Sequence, residues 1–299
     1  MKTFFTTVLI GLSVLLCFDY LLIINLAGEH ESEPQVVSYQ DHVEKKRDSS
    51  PVNKAVTLLS LNLAHGRRDR AHQLFLTTTE IRNNLDKIIA MLKREQPDFV
   101  ALQEADAPSL WSGDFSHVAY IARNAGYVNS IHGIHVEGLK LSYGTAILST
   151  KLLKYPLSIT FTPAMPALTK GFTIARVKIG GALETDVVSV HLDFFSLKTR
   201  RKQVKQMVQA LSLRSSPLII MGDFNQQWGE KAAPTLLSAK LNLTTHSPLN
   251  HKGVTFPKLQ KRIDYILISK EFEFIDYQVL QDVVSDHRAI LAKIKIKDQ

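Results

Sequence analysis

At 299 residues and 45% hydrophobic, the chain can bury one sizeable core; it is neither a disordered protein nor one lying wholly within a membrane. Its net charge of +8 is uneven: residues 1–50 hold 4 of the 36 Lys and Arg and 7 of the 28 Asp and Glu, leaving about +11 on residues 51–299. Such a body favours polyanionic substrates or an anionic membrane surface, although solubility alone also uses charge of this kind.

Lys2 precedes a mostly apolar stretch from Phe4 to Ala27, densest between Val8 and Phe18. That length suits a signal peptide or a single membrane anchor. Asn25-Leu26-Ala27 lacks the small residue a cleavage site wants at its first position, and Val-Leu-Leu before Cys17 lacks the one lipoprotein processing wants. Asp19 counts against an anchor, at roughly 2.5–3.5 kcal/mol near a bilayer centre. The favoured reading of residues 1–28 is an uncleaved anchor, with a cleaved signal as the alternative. Lys2 before the segment and Glu29, Glu31 and Glu33 after it predict a cytoplasmic N-terminus and an exported body. With its only cysteine in the apolar segment, the body has no disulfides, and its size does not require them. Residues 29–53, polar and mixed in charge, read as a flexible linker, and residues 54–299 as one domain.

Val56–Leu63 is β-branched and Leu-rich and reads as a buried strand reaching Asn62. Thr77 and Glu80 have capping-box spacing, and Ile81, Leu85, Ile88, Ile89 and Leu92 recur at helical spacing, which predicts a helix over 78–94. Pro97-Asp98 ends it, and Phe99–Gln103 is a strand ending at Glu104. Gly144–Ser149 is a further strand. Phe172–Ile179 and Asp186–Val190 flank Gly180-Gly181 as a hairpin, with His191 at its far end. Val204, Met207, Val208 and Leu211 mark a helix whose other face carries Lys198, Arg200, Arg201, Lys202 and Lys205. Leu218–Met221 is an apolar strand running into Gly222-Asp223-Phe224-Asn225. A polar, loop-rich stretch follows, then strands over Ile263–Ile268, Phe272–Leu280 and Ala289–Ile296, with Ser285-Asp286-His287 in a loop. Strands joined by both hairpins and helices predict two packed mixed sheets with helices outside.

The polar residues at strand ends are Asn62, Glu104, His191, Asp223, Asn225, Asp264, Asp286 and His287. Taken singly, each has an ordinary explanation: a turn residue, a surface carboxylate, a satisfied core histidine. Asp264 is harder to dismiss, because a carboxylate inside Arg-Ile-Asp-Tyr-Ile-Leu-Ile needs a partner. Asp223 and Asn225, two residues apart, fall on one face of an extended strand, a pairing suited to a hydrated divalent cation or a phosphate oxygen.

Leu-Ser-Leu-Asn62, Val-Ala-Leu-Gln-Glu104, Gly144-Thr-Ala-Ile-Leu-Ser, Val-His191-Leu-Asp193, Arg200-x-x-Gln203, Gly-Asp223-Phe-Asn225, Arg-Ile-Asp264-Tyr-Ile and Ser-Asp286-His287 stand in an order that resembles the endonuclease/exonuclease/phosphatase superfamily, the DNase I-like fold. The resemblance runs from Leu58 to about Leu291. It implies an αββα sandwich of two mixed sheets over residues 54–299 and hydrolysis of phosphate esters with Mg²⁺ or Mn²⁺. It makes Glu104 the principal metal ligand, with Asn62 and Asp286 as direct or near ligands. Asp223 activates or orients the attacking water, Asn225 holds the phosphate, and Asp264 fixes His287. His191 donates to a phosphate oxygen in the transition state. The general base stays open between His287 and Asp223. Two features depart from secreted DNases: Tyr143–Ala146 offers no acid to pair with His191, although Asp193 is close in sequence, and there are no disulfides. The expectation is a monomeric metal-dependent phosphodiesterase or phosphatase, membrane-tethered or exported, acting on a phospholipid head group or on nucleic acid. The alternatives are an endonuclease acting on DNA or RNA and a catalytically silent binding module. Trp111 and Trp228 are read as rim or lipid-facing aromatics or, more simply, as packing residues.

Overall fold

The computed structural model describes residues 30–39, 55–70, 76–138, 140–164, 167–249 and 253–297; the expected N-terminal anchor or signal, residues 1–28, lies outside them. Among the described residues no helix is long and apolar enough to cross a membrane.

The chain lays down β1 (His30–Ser32), β2 (Val36–Ser38) and β3 (Ala55–Asn62) before its first long helix, α1 (Thr78–Glu95). The capping box forms as its spacing predicts: the Thr77 hydroxyl accepts from the Glu80 N–H and the Glu80 carboxylate accepts from the Thr77 N–H. The buried stripe Ile81, Leu85, Ile88, Ile89 and Leu92 faces inward. Next come β4 (Phe99–Asp106), α2 (His117–Ala125), β5 (Asn129–Glu137), β6 (Ser142–Ser149), β7 (Lys154–Thr160), β8 (Gly171–Ile179) and β9 (Leu183–His191). The remainder is α3 (Leu197–Leu211), β10 (Leu218–Asp223), α4 (Ala233–Leu241), β11 (Leu243–Thr244), β12 (Asp264–Ser269), β13 (Phe272–Val279) and β14 (Ile290–Ile296).

The strands form two seven-stranded sheets, ordered β13-β14-β3-β4-β6-β5-β2 and β1-β7-β8-β9-β10-β12-β11. Three apolar layers hold them together. Leu59, Leu61, Val100 and Leu102 pack with the α1 stripe, while Val56, Leu58, Phe99, Val187, Ile219, Met221 and Ile266 fill the space between the sheets. Val188, Val190, Ile220 and Leu267 pack with Val204, Met207 and Leu211 of α3. Helix, sheet, sheet, helix is the expected αββα sandwich.

Among the described residues each sheet contains one parallel pair joined by a helix: β3-α1-β4, with Asn62 opposite Gln103, and β9-α3-β10, with His191 opposite Asp223. Parallel pairing places the carboxyl ends of both partners at the same edge. β12 runs antiparallel to β10 and sets Asp264 opposite Asp223. Side-chain alternation then decides the face. Leu58 and Asn62, Val187 and His191, Met221 and Asp223, and Ile266 and Asp264 share parity, so these polar ends point between the sheets where the apolar filling stops.

Three expectations need correcting. Asp223 and Asn225 do not share a face of one extended strand, because β10 ends at Asp223 and Asn225 is left-handed at φ +51°. Residues 30–39, read as part of a flexible linker, pair instead onto an outer strand of each sheet, β1 with β7 and β2 with β5. Tyr39 is buried and its hydroxyl bonds Ser130. Backbone pairing to an open sheet edge does not need an apolar sequence. The loop-rich stretch after β10 contains α4, whose buried Ala233, Pro234, Leu237 and Ser238 give it little amphipathic contrast.

Candidate active site

Asn62, Arg67, Glu104, Lys170, His191, Phe194, Asp223, Asn225, Phe256, Lys258, Ile263, Asp286 and His287 line one pocket of about 270 Å³ at the carboxyl ends of β3, β4, β9 and β10. Asp264 sits behind it, its carboxylate 3.0 Å from His287 Nδ1. All eight residues singled out from the sequence therefore converge.

Glu104 reaches the pocket by a route that alternation does not allow. Leu102 and Ala105 both face the α1 side, and the β4–β6 register slips between them, opposite Ala146 and Gly144. Glu104 stands in this bulge with φ +47°. The extra residue re-aims its carboxylate toward the intersheet side, as bulges beside functional sites do. There it meets His65 Nε2 at 3.3 Å, Arg67 at 3.6 Å and Lys170 Nζ at 3.8 Å. Burial opposes its charge, but His65, Lys170, His191 and Arg67 outweigh burial and hold the carboxyl well below the usual carboxylate range.

Asp223 is the hub. Its Oδ1 accepts from the Asn225 N–H at 2.8 Å and its Oδ2 from Asn62 Nδ2 at 3.1 Å. The same Oδ2 lies 3.5 Å from His191 Nε2 and 3.8 Å from His287 Nε2. Burial, then the neighbouring Asp264 carboxylate, pushes Asp223 up to about 7. His287 moves the other way from most buried histidines. Burial disfavours its charge, yet Asp264 and Asp223 raise it to about 10, so the imidazolium persists at neutral pH.

His191 does not pair with Asp193. Asp193 is occupied in its own loop, its carboxylate accepting from the Ser196 N–H. Lys170 Nζ, which can only donate, lies 3.4 Å from His191 Nδ1. Burial first and Lys170 second hold His191 well below its ordinary value. A neutral imidazole that accepts at Nδ1 carries its hydrogen on Nε2, the nitrogen facing Asp223.

Arg200 and Gln203, noted for their spacing, act on the loop that follows His191. Gln203 Oε1 accepts from the Asp193 N–H, and Arg200 donates to the carbonyls of Asp193 and Phe194 at 2.9 and 3.0 Å. Asn225 Nδ2 donates to the Leu192 carbonyl, so β10 and this loop are tied together beneath the pocket.

The donor set can be tested for a divalent cation. Glu104 and Asp286, from different parts of the chain, both turn toward the Arg67 guanidinium, at 3.6 and 2.6 Å, and Lys258 Nζ stands 3.2 Å from Asp286. Two carboxylates beside one cationic group supply the oxygen donors that a hard divalent ion prefers. Asn62 Oδ1 already accepts from the Ala64 N–H and its Nδ2 binds Asp223, so the amide aligns Asp223 and has one lone pair left for a cation. Ligand-type atoms of Asp223, Asp264 and His287 also cluster within 4.8 Å. Two of those three groups are committed to each other.

Sequence reasoning takes Arg67 only as part of the basic run Arg67-Arg68-Asp69-Arg70, a track for a phosphate backbone, and misses Lys170, Lys258, Phe194 and Phe256 at the pocket and His65 with its partner Asp106 behind Glu104. His65 lies three residues after Asn62 and Asp106 two after Glu104, a proximity that was available as a signal. Lys170 and Lys258 have none, because only the packing of the two sheets brings them in. Trp228 packs against Tyr265 and Trp111 edge-on to His65, so both act as packing residues.

A family model described as the endonuclease/exonuclease/phosphatase family matches residues 59–287. None of the curated proteins compared matches the chain. Solved structures do. An endonuclease/exonuclease/phosphatase from Beutenbergia cavernae is 19% identical, with TM-score 0.64 over 81% of this chain and 72% of that one. The human nocturnin catalytic domain, which holds a sulfate anion, is 18% identical, with TM-score 0.64 over 88% and 98%. A Bacteroides thetaiotaomicron mannosyl-6-phosphatase is 17% identical, with TM-score 0.59 over 80% and 99%. At these identities the likeness to each structure is one of fold.

Proposed function

The chain belongs to the endonuclease/exonuclease/phosphatase family, and from that premise we propose that its pocket hydrolyses phosphate esters with a bound divalent cation, Mg²⁺ or Mn²⁺. The observation that carries this reading is the convergence of two cation-facing carboxylates with a neutral histidine, an elevated aspartic acid and a protonated histidine in one pocket.

Glu104 and Asp286 would hold the cation, with Asn62 beside them, and the cation would offset charge on the phosphoryl oxygens. The chain's own groups divide the remaining work. Asp223, near neutrality, is suited to take a proton from an attacking water, because a base works best with a pKa close to the operating pH. His191 Nε2–H and the His287 imidazolium face the same carboxylate and can donate to phosphoryl oxygens as negative charge builds on them. This favours Asp223 over His287 as general base. Asn225 fastens Asp223 through its backbone and lines the pocket, where its amide can hold a phosphate.

A phospholipid head group and a nucleic acid both suit such a site. The endonuclease reading draws on exposed Lys198, Arg201, Lys202 and Lys205 of α3. A silent binding module has less support, since every chemical position is filled. The apolar N-terminal segment supports a body held at, or exported across, a membrane. The test is turnover of bis-p-nitrophenyl phosphate by the full chain. It should require Mg²⁺ or Mn²⁺, cease with EDTA, and fall by at least about 10²-fold in Asp223→Ala and in His191→Ala. Undiminished turnover in both variants would defeat the assignment.

A further inference from the structure

Resting on the hydrolase reading, we propose that the rim of the pocket is a membrane-docking edge: Phe194, Phe195 and Leu197 enter the head-group and acyl-chain boundary of an anionic phospholipid bilayer and present a lipid head group to the site.

Single exposed apolar side chains mean little on a protein surface. Here three occur within four residues, Phe194 at 52%, Phe195 at 64% and Leu197 at 38% exposure, and Phe194 also lines the pocket. The two rings meet edge to face at 5.3 Å, forming one apolar projection. The backbone beneath them is fastened on four sides. Arg200 holds the carbonyls of Asp193 and Phe194, Gln203 holds the Asp193 N–H, and the Asp193 carboxylate holds the Ser196 N–H. These bonds fix the backbone from which the two rings project.

Charge complements the apolar edge. The helix that follows, α3, exposes Lys198, Arg201, Lys202 and Lys205 and contains no Asp or Glu. Across the pocket, the turn Pro257–Leu259 carries Lys258 and a 51%-exposed Leu259. An aromatic edge bordered by lysines is the chemistry of interfacial segments drawn to anionic lipid. A nucleic-acid track is less well served, because the basic run Arg67-Arg68-Asp69-Arg70 is engaged by the chain's own groups. Arg67 binds Asp286, Arg68 binds the Val283 carbonyl and Arg70 binds Glu80.

The experiment uses the full chain carrying Phe195→Trp, with the fluorescence of the unsubstituted protein and its two native tryptophans subtracted. The vesicles are equal parts phosphatidylcholine and phosphatidylglycerol, with or without bromine on the acyl chains. A ring entering about 5–10 Å below the surface should shift its emission to the blue and be quenched only by brominated lipid. Adding Lys202→Glu and Lys205→Glu should raise the anionic lipid needed for that signal by at least about tenfold. A protein that sediments with vesicles through its N-terminal segment while the new indole stays unshifted and unquenched overturns the proposal. So does a signal that answers to single-stranded DNA and not to vesicles, which would assign the face to nucleic acid. Turnover of bis-p-nitrophenyl phosphate by the same variants reports separately on the hydrolase reading. Its absence in the unsubstituted protein would remove the head-group step, and the fluorescence would still decide docking.

Discussion

Replacing Asp264 by Asn tests the electrostatic centre of the site with little change of shape. The Asp264 carboxylate lies 3.0 Å from His287 Nδ1, and both residues are buried. At an effective dielectric of about 20, unit charges at that separation attract by roughly 5 kcal/mol. The rise of His287 from 6.5 to about 10 is the net of burial, which lowers it, and of Asp264, Asp223 and Asp286, which raise it. Asp264 is the largest of the raising causes, and burial of both ions offsets much of its attraction as net stability. Without Asp264, burial acts on the imidazole with less opposition and His287 becomes neutral near pH 7. The expected result is a loss of about 10²–10⁴-fold in kcat for bis-p-nitrophenyl phosphate, with an unchanged circular dichroism spectrum. The sign of the linked stability follows from the raised pKa. The contribution is complete below about 6.5, the unfolded value, and disappears as pH rises through about 10. A well-folded Asp264→Asn protein as fast as the wild type would refute the reasoning.

Two further outcomes concern the scaffold. Asp186 is fully buried and takes paired hydrogen bonds from Arg176 at 2.9 and 3.1 Å and from Arg214 at 2.6 and 3.2 Å. Burial opposes its charge, but the two guanidiniums hold it below the ordinary aspartate value, so its stabilisation is present above the unfolded pKa of about 3.9 and lost as pH falls through the lower folded value. Asp186→Asn should lower the unfolding free energy at pH 7 by about 1.5–3 kcal/mol in urea titrations, a deficit that shrinks below pH 4 or so; a deficit independent of pH would contradict this. Gly222 has φ +155°, and an added Cβ would lie 1.9 Å from the Val190 carbonyl oxygen. Gly222→Ala should therefore cost at least about 2–4 kcal/mol and part β9 from β10 where His191 faces Asp223, reducing ester turnover as well. An unshifted urea midpoint would show that the strand pair can absorb the methyl group.

The sequence by itself determined the first helix with its capping box and the strands that carry Asn62, His191, Asp223 and Asp264. Those features depend on local spacing and side-chain alternation, which a single chain displays directly. Tertiary structure decided what local rules leave free. Glu104 would face the α1 side by alternation and is turned into the pocket only by the bulge against β6. Lys170 and Lys258 reach the site from loops with no distinguishing neighbours, and Lys170 takes the place beside His191 that Asp193 seemed to offer. Residues 30–39 look like solvated linker because edge pairing is carried by backbone hydrogen bonds, which any side chain permits. Spacing along the chain records which groups are available; the distances at which they act on one another are set only when the two sheets pack.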